Sequence, residues 1–358
     1  MFSVSDGLHA RAQDFVAAYS AGLAMPESFD ALAVAIARYQ VEKNVGYARL
    51  ARRGAAPESW RMASDVPAVP TDAFKMGRVS CLPEADVHLS FRTSGTTVGA
   101  RGCHDFRRLD TYDAGALAFG RACLFHGLGE QVQTLVLGPS PAIAPDSSLT
   151  HMNALFARRF APGAADPFYL QGEQIDIERF QRDIDASAPC VVLATSFALV
   201  HFTDALQGAQ IRLHPSSRVM QTGGYKGKSR EVDAKELRAT VAHCFGISQR
   251  QVVSEYGMTE LSSQFYERTA VAAHPQSGVY FEPPWARVTP VHPDTLEPVA
   301  EGQVGIARIV DLANVDSAVA IQTADRVRRV QGGFELLGRM PGATPRGCSL
   351  ATEEMLGG

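Results

Sequence analysis

Short apolar runs alternate with helically spaced apolar positions through the middle of the chain. The runs lie at 134–137, 190–194, 218–221 and 251–254. Continuous apolar runs predict strands buried on both faces, as in parallel sheets with helical crossovers. The intervening helical patterns lie at 149–160, 197–206 and 230–245. The alternation predicts a doubly wound α/β fold, in which ligands bind beyond the C-terminal ends of the strands.

The two ends of the chain have other patterns. The first eighty residues are mostly helical in pattern, with Ser28 as candidate cap of a helix that continues past Val45 towards Leu50. A further helix is predicted over 109–125. After about Gly278, Pro and Gly turns separate short strands such as 304–310, which predicts a small antiparallel β-rich part. We expect an α/β core at 1–277, a β-rich subdomain at 278–337 and a tail at 338–358.

Residues 93–102 form a Gly/Ser/Thr-rich run, Thr-Ser-Gly-Thr-Thr-Val-Gly-Ala-Arg-Gly, directly after the apolar segment 87–91. Glycines let backbone N–H groups approach an anion closely, and hydroxyls donate further hydrogen bonds. The run lacks the Gly-Lys-Ser/Thr ending of a nucleoside-triphosphate P-loop and the spacing of a dinucleotide fingerprint. It is a candidate phosphate-binding turn, and a plain surface loop is the alternative.

Two later motifs also follow predicted strands. Paired glycines in Thr222–Gly227 would let a flat ligand lie against the backbone, although a plain strand-to-helix turn explains them equally well. Residues 255–260, Glu-Tyr-Gly-Met-Thr-Glu, offer an aromatic ring for stacking, a hydroxyl for phosphate and a carboxylate for Mg²⁺. Further on, Asp325 could hold a ribose diol and Arg339 could supply a cation to the same nucleotide. Singly, Asp325 and Arg339 could equally be solvated surface charges.

Composition narrows the function classes. The chain has 358 residues and a net charge of -4, with 46% hydrophobic and 20% charged residues. These values are ordinary for a globular protein and give no electrostatic reason to bind nucleic acid or an anionic membrane. No apolar run is long enough to span a bilayer, and the N-terminus lacks a secretory pattern, so we expect a cytoplasmic protein. The six cysteines form no Cys-x-x-Cys pair, which argues against zinc or a disulfide framework.

The motifs, taken in this order, resemble the adenylate-forming superfamily of acyl-CoA synthetases, luciferases and adenylation domains. Residues 93–102 match its Thr-Ser-Gly-Thr-Thr-Gly loop, with Val98 intruding. Residues 256–260 match its Tyr-Gly-x-Thr-Glu motif, and residues 323–325 match Thr-Gly-Asp with Ala324 in place of glycine. The resemblance implies the N-terminal-domain fold of that superfamily, with ATP and Mg²⁺ as cofactors.

Two departures point to one branch of the superfamily. The usual lysine near the end of the phosphate loop is replaced by Ala100-Arg101. The mobile C-terminal lid domain with its catalytic lysine is expected to be missing or rudimentary, because the chain ends shortly after Arg339. These features, together with the ending 346–350, resemble the acyl-protein synthetases, the fatty-acid ligase components of the bacterial luminescence reductase complex and their relatives.

The resemblance implies a role for each matched residue. Ser94, Thr96 and Thr97 would hold the β- and γ-phosphates, within a loop that also includes Thr93, Gly95 and Gly99. The adenine would be framed by Gly223, Gly224, Tyr225, Tyr256 and Gly257. Thr259 would bind the α-phosphate, Glu260 the Mg²⁺ and Asp325 the ribose. Arg101 and Arg339 would partly replace the missing lysines. His151 lies where relatives have an aromatic or histidine lid over the acyl pocket, although an ordinary histidine on a helix surface explains it equally well. His104 is expected to be structural or solvated.

Cys348 matches the cysteine that carries the acyl group in that subfamily. From the sequence alone it could be an incidental thiol. Gly347 and the glycines at 357–358 would give the tail mobility, and Arg346 would lower the thiol pKa. The implied function is ATP-dependent activation of a carboxylic acid, in particular a fatty acid, and transfer through Cys348 to an acyl-accepting reductase or carrier protein. A ligase acting on coenzyme A or a carrier protein, and a non-catalytic nucleotide-binding scaffold, are the alternatives.

Overall fold

The computed structural model describes residues 2–93, 101–163, 165–172, 174–223, 232–342 and 345–357. Its helices are α1 (Ser3–Ala21), α2 (Phe29–Lys43), α3 (Val45–Ala51), α4 (Ala73–Met76), α5 (Asp110–Cys123), α6 (Ser148–Phe160), α7 (Ile177–Asp183), α8 (Ser196–Ala205), α9 (Ala234–Phe245) and α10 (Arg346–Leu356). Among these described residues, no helix combines the length and apolar character needed to cross a membrane.

The strands are β1 (Val69–Pro70), β2 (Leu89–Arg92), β3 (Cys103–Phe106), β4 (Gln133–Leu137), β5 (Leu170–Gln171), β6 (Gln174–Ile175), β7 (Cys190–Thr195), β8 (Arg218–Thr222), β9 (Val252–Tyr256), β10 (Phe265–Glu267), β11 (Val279–Phe281), β12 (Ala286–Val291), β13 (Val304–Asp311), β14 (Ala320–Val330) and β15 (Gly333–Arg339). Contacts group the chain into two compact units. Unit 1 comprises Met1–Ala118, Met258–Gln264 and Phe281–Gly358, and unit 2 comprises Phe119–Gly257 and Phe265–Tyr280. The three-part division expected from the sequence stays a prediction.

Unit 2 contains the predicted parallel sheet. Strands β4, β7, β8 and β9 lie side by side in that order and are parallel, with Leu135 opposite Val192 and Val219 opposite Val252. All four side chains are buried, as the continuous apolar runs predict. Strand β10 then joins the β9 edge in the antiparallel direction. The predicted alternation of strands and helices is confirmed here.

A buried ion pair supports the β9 edge of this sheet. Arg238 Nη2 lies 2.5 Å from Glu267 Oε2, and both side chains are almost fully buried. The same carboxylate oxygen accepts the backbone N–H of Ser254 at 2.9 Å. Because the carboxylate contacts both α9 and β9, it fixes strand β9, which leads into the predicted nucleotide motif, against the helix that covers it.

Unit 1 contains an antiparallel sheet of β12, β13, β14 and β15 in that order, as predicted for the region after Gly278. Strand β1 pairs in parallel with β14, so that Val69 lies opposite Ile321. Strands β2 and β3 form a separate antiparallel hairpin, with Arg92 opposite Cys103. This hairpin encloses the Gly/Ser/Thr-rich run in the sequence.

The N-terminal helices belong to unit 1, and one predicted boundary among them is wrong. Ser28 caps α2 by accepting the N–H of Ala31 at 3.1 Å, as predicted. The helix then ends at Asn44, whose extended backbone breaks it and whose side chain accepts the N–H of Tyr47 to start α3. An Asn side chain can replace a backbone partner in this way, which apolar periodicity alone does not reveal.

Candidate functional site

The predicted phosphate-binding run begins and ends on the β2–β3 hairpin of unit 1. The Thr93 N–H donates to the Gly102 carbonyl at 2.9 Å, and the Gly102 N–H donates to Thr93 Oγ1 at 2.9 Å. These two bonds hold the ends of the run together as a closed stem. The residues predicted to hold phosphate between them, Ser94, Gly95, Thr96, Thr97 and Gly99, lie outside the described residues.

Arg101 is exposed and lies along this stem. Its Nε donates to the Thr93 carbonyl at 2.6 Å, and its Nη2 donates to the Arg92 carbonyl at 3.3 Å. The guanidinium therefore bridges backbone carbonyls on the opposite strand of the hairpin. This geometry gives Arg101 a role in closing the stem, beside the predicted role as a cation for phosphate.

Thr259 and Glu260 lie in the unit 1 segment 258–264, which other parts of the unit hold in place. His104 Nδ1 donates to the Thr259 carbonyl at 2.9 Å. Burial lowers the pKa of His104 to about 4, so the ring is neutral, and the proton must sit on Nδ1 because a carbonyl only accepts. Asp311 accepts Ser263 Oγ at 2.7 Å and the Ser262 N–H at 2.9 Å. His104 is thus a buried structural residue, not a solvated one.

Three charged side chains of unit 1 lie close enough to Glu260 to act on its carboxyl group. Burial, the largest cause, raises the pKa of Glu260, Lys75 and Arg339 oppose that rise, and Asp325 adds to it. Asp325 on β14 lies opposite Arg339 on β15, and their side chains approach to 3.9 Å. We call Lys75, Glu260, Asp325 and Arg339 the charged cluster. The structure therefore brings together three predicted residues from distant parts of the sequence.

Lys75 is the member of this cluster that the sequence did not indicate. It lies on α4, and a Cβ added to Gly102 would lie 3.4 Å from Lys75 Cγ. Its Nζ binds Asp72 Oδ1 at 2.9 Å. No motif marks it, since α4 lies in the proline-interrupted approach to the Gly/Ser/Thr-rich run. Only the packing of α4 against β3 brings it to the stem.

Cys348 lies in the first turns of α10, where only 3% of the residue is exposed. Its neighbours are the apolar side chains of Val291, Leu296, Ile306 and Met340, which we call the thiol pocket. Burial, with a smaller contribution from the negative charge of Asp72, raises the pKa of the thiol to about 11. The expected mobile tail with a thiol pKa lowered by Arg346 is wrong, because the segment folds as a helix and buries the sulfur.

The glycines of this segment serve close packing instead of mobility. A Cβ on Gly347 would lie 2.8 Å from Leu296 Cγ and 3.0 Å from the Pro293 carbonyl. At the other end of α10, Arg49 donates to the Met355 carbonyl at 3.3 Å. A Cβ on Gly77 would meet Leu356 at 2.9 Å. Helix α10 is therefore fitted closely against the rest of unit 1 at both ends.

The predicted adenine-binding residues that the structure describes lie at adjacent strand ends of unit 2. The Thr222 hydroxyl donates to the buried Glu255 carboxyl, and these residues directly precede Gly223 and Tyr256. Burial raises the pKa of Glu255 to about 7. The Tyr256 ring packs against Phe265 and Tyr280, so that 8% of the residue is exposed.

The other adenine candidates carry less structural evidence. Gly223 has a φ of +70°, a conformation that favours glycine, and a Cβ there would meet nothing within 4 Å. Gly257 is exposed. Gly224 and Tyr225 lie outside the described residues. Gly223 and Tyr256 lie at the C-terminal ends of the neighbouring parallel strands β8 and β9. Parallel sheets commonly bind ligands beyond these strand ends.

His151 lies in unit 2, near the start of α6, and is half-buried. The Ser147 hydroxyl caps this helix by accepting the Thr150 N–H at 3.2 Å. On either side in sequence, Thr150 and Met152 are buried. His151 thus occupies the edge between the buried and exposed faces of α6, and its predicted role at an acyl pocket stays a prediction.

At the predicted Mg²⁺ position, the protein would supply one carboxylate ligand, that of Glu260. Within the described ranges, no three His, Cys, Asp or Glu side chains gather as a metal site. Mg²⁺ commonly uses one or two carboxylates, with substrate phosphates and water completing its octahedron. Glu260 is 6% exposed and its pKa is raised by burial, so a cation beside it would offset the cost of its charge. The residues present fit such an ion.

Known proteins are similar to this chain in sequence and in fold. The family described as Acyl-protein synthetase, LuxE matches residues 60–357. Two relatives are named long-chain-fatty-acid–luciferin-component ligase. The Vibrio harveyi protein is 23% identical over 336 residues, or 88% of this chain and 85% of that protein. The Aliivibrio fischeri protein is 19% identical over 313 residues, or 82% and 79%.

A solved structure of 2-hydroxyisobutyryl-CoA ligase, in an open conformation with 2-HIB-AMP and CoA, superposes with a TM-score of 0.63. It is 15% identical and covers 89% of this chain and 76% of that one. This likeness confirms the predicted adenylate-forming fold.

Proposed function

The chain belongs to the LuxE acyl-protein synthetase family. We propose that it uses ATP to activate a carboxylic acid, specifically a long-chain fatty acid, and then passes the acyl group to a thiol. The observation that carries this proposal is the charged cluster beside the closed stem of residues 93 and 102. A non-catalytic nucleotide-binding scaffold would need the same charged groups, so it is the family, whose named relatives are ligases, that argues against that alternative.

In the first step, a carboxylate oxygen of the acid attacks the α-phosphorus of ATP. The bond from that phosphorus to the bridging oxygen breaks, and pyrophosphate leaves with the electron pair. The protein has mainly to position the phosphates and offset their charge. In unit 1, Thr259 would contact the α-phosphate, Asp325 the ribose and Arg339 the developing charge. In unit 2, Gly223, Tyr256 and Gly257 stay the candidates for adenine.

Mg²⁺ bound at Glu260 would supply charge neutralisation to the phosphates. Neighbouring side chains hold the backbone of this segment: Asn314 Nδ2 donates to the Glu260 backbone carbonyl at 2.9 Å, and His104 donates to that of Thr259. Arg101 would support the reaction through the stem, whose carbonyls it binds.

In the second step, a thiolate attacks the carbonyl carbon of the mixed anhydride, and AMP leaves as the carbon–oxygen bond breaks. Cys348 is the proposed nucleophile, and the acyl group would then pass to a partner such as an acyl reductase. Since 3% of Cys348 is exposed, α10 must leave the thiol pocket before the sulfur can react. Leaving the pocket would also lower the thiol pKa from about 11.

The burial of Cys348 equally favours a second candidate. An enzyme whose own thiol stays buried would hand the acyl group directly to an external thiol, such as coenzyme A or a carrier protein. In that case Cys348 would serve only to pack α10. The fatty-acid activation step is common to both candidates, and only the acceptor differs.

Two measurements test the proposal. Acid-dependent exchange of labelled pyrophosphate into ATP reports activation alone, and we expect it with long-chain fatty acids. Incubation with radioactive fatty acid and ATP reports transfer, and we expect a hydroxylamine-labile label on the protein. Cys348→Ser should abolish the label and leave the exchange rate unchanged, whereas Cys123→Ser, at another buried thiol, should change neither.

Each result separates the alternatives. A protein label that survives Cys348→Ser would refute the acyl-cysteine step. Exchange without any protein label would favour coenzyme A or a carrier protein as acceptor. Absence of exchange across a broad panel of acids would refute the ligase function itself.

A further inference from the structure

Lys75 lies against the stem of the Gly/Ser/Thr-rich run. A Cβ added to Gly102 would lie 3.4 Å from Lys75 Cγ and 3.0 Å from Thr93 Cγ2. The aliphatic part of Lys75 therefore passes directly across the point where the run returns to the hairpin. A side chain at position 102 would press on Thr93 Cγ2, while its distance to Lys75 Cγ would be close to an ordinary van der Waals contact.

The position of Lys75 is fixed by its neighbour in sequence. Phe74 is buried, and its ring meets His104 edge-on at 6.0 Å between centroids. His104 in turn donates to the Thr259 carbonyl at 2.9 Å. One continuous contact path thus joins α4, the hairpin and the segment that carries Thr259 and Glu260. Lys75 therefore lies beside the stem of the first phosphate motif, on the helix that this path links to the second.

The ammonium of Lys75 has a partner that can be exchanged for phosphate. Asp72 Oδ1 accepts one of its three N–H donors at 2.9 Å, and both side chains are partly exposed, at 40% and 34%. An ion pair with this exposure contributes little to stability, about 0–1 kcal/mol. The cation can therefore turn towards a more highly charged anion at small cost.

We propose that Lys75 binds the β- or γ-phosphate of ATP and takes the place of the lysine that is absent from the Ala100-Arg101 end of the run. A compact ammonium on a flexible stem suits a phosphate oxygen. Arg101 is less suited, because its Nε and Nη2 already donate to the carbonyls of the stem. Asp72 holds Lys75 near the stem until ATP arrives.

This inference rests on the proposed function for its substrate, and equilibrium binding tests it independently of catalysis. Lys75→Met keeps the aliphatic contact with Gly102 and removes the charge. We expect it to weaken MgATP binding about tenfold and to leave AMP binding unchanged, because AMP lacks the β- and γ-phosphates. Lys75→Arg should retain most of the ATP affinity. Lys235→Ala, at an exposed lysine of α9, is the matched control.

Three outcomes decide the matter. Selective loss of ATP affinity in Lys75→Met supports the assignment. It does so even if none of the acids tested supports pyrophosphate exchange in the wild-type protein, so that the ligase proposal fails. Equal ATP affinity in Lys75→Met and wild type overturns the assignment while leaving the ligase proposal intact. Equal weakening of ATP and AMP would also overturn it, since that pattern indicates damage to the fold.

Discussion

The charged cluster and the thiol pocket lie in the same unit and have opposite characters. Lys75, Asp325 and Arg339 are partly or fully exposed around the Glu260 carboxylate. Cys348 instead lies among aliphatic side chains, with its pKa raised to about 11 by burial. The first set of groups is charged and already assembled, whereas the sulfur is held neutral and covered.

The contrast fits a reaction in two steps with different needs. Forming an acyl-adenylate requires fixed charges around phosphates from the start. The thiol is needed only afterwards, and a thiolate exposed earlier would be open to oxidation and to wasteful reaction. A nucleophile stored in its protonated form, on a helix that can leave its pocket, separates the two steps in time.

The largest expected effect lies in the charged cluster. Glu260→Gln keeps the shape of a buried side chain and removes its charge, so we expect acid-dependent pyrophosphate exchange to fall about 10²–10³-fold. The thermal midpoint should not fall, because burial already disfavours the charged form of Glu260. Glu236→Gln, at an exposed glutamate on α9, is the control. Exchange within tenfold of wild type would show that Glu260 is not at the reacting phosphates.

The next effect concerns the resting thiol. A rise of the Cys348 pKa from 9.0 to about 11 leaves about 100-fold less thiolate below pH 9. Iodoacetamide should therefore modify Cys348 about 100-fold more slowly than an ordinary thiol at pH 8. Its rate should still rise between pH 9 and 10, where an ordinary thiol levels off. Peptide mass spectrometry measures the rate at Cys348, and a short cysteine-containing peptide in the same solution gives the rate of an ordinary thiol.

The same assay asks whether α10 moves during the reaction. A non-hydrolysable mimic of the acyl-adenylate should accelerate modification of Cys348 and leave that of Cys244, a buried thiol on α9, unchanged. Fast modification of Cys348 in the resting protein would show that the thiol pocket is open from the start, and the contrast between the two regions would then disappear.

Much of the fold could be predicted because its signals are local. Continuous apolar runs predicted β4, β7, β8 and β9 correctly, because strands that are buried on both faces carry apolar residues at successive positions. The ordered motifs singled out Glu260, Asp325 and Arg339, which the structure brings close together, and their roles stay predictions. The break at Asn44 could not be predicted, because a side-chain cap competes with a helix through a single hydrogen bond.

Lys75 and the burial of Cys348 depend on long-range packing, which the sequence does not display. Lys75 lies beside the stem because α4 packs against β3, where Phe74 meets His104. Gly347 suggested mobility, but its missing Cβ lets α10 approach the chain at Pro293 and Leu296. Glycine allows both flexibility and close approach, and only the tertiary contacts decide between them.

A smaller effect should follow from weakening the packing of α10. Gly347→Ala places a Cβ 2.8 Å from Leu296 Cγ and 3.0 Å from the Pro293 carbonyl, so we expect a loss of about 1–3 kcal/mol in the free energy of unfolding. Iodoacetamide should then reach Cys348 faster. Gly7→Ala, inside α1 with nothing within 4 Å, should instead stabilise by about 0.5–1 kcal/mol. Equal stability of the two variants would contradict the close fit of α10.

The smallest effect concerns Asp72, which acts on both regions: it pairs with Lys75 at 2.9 Å, and its charge raises the Cys348 pKa. In Asp72→Asn, iodoacetamide should modify Cys348 a few-fold faster, because the thiol pKa falls once the negative charge is removed. MgATP binding should stay equal or tighten slightly, since Lys75 no longer has to leave a carboxylate. Unfolding free energy should change by less than about 1 kcal/mol. Slower modification of Cys348, or a tenfold loss of ATP affinity, would mean that Asp72 is needed to hold Lys75 where it binds phosphate. The charged cluster and the thiol pocket would then be coupled through α4 more tightly than one exposed ion pair allows.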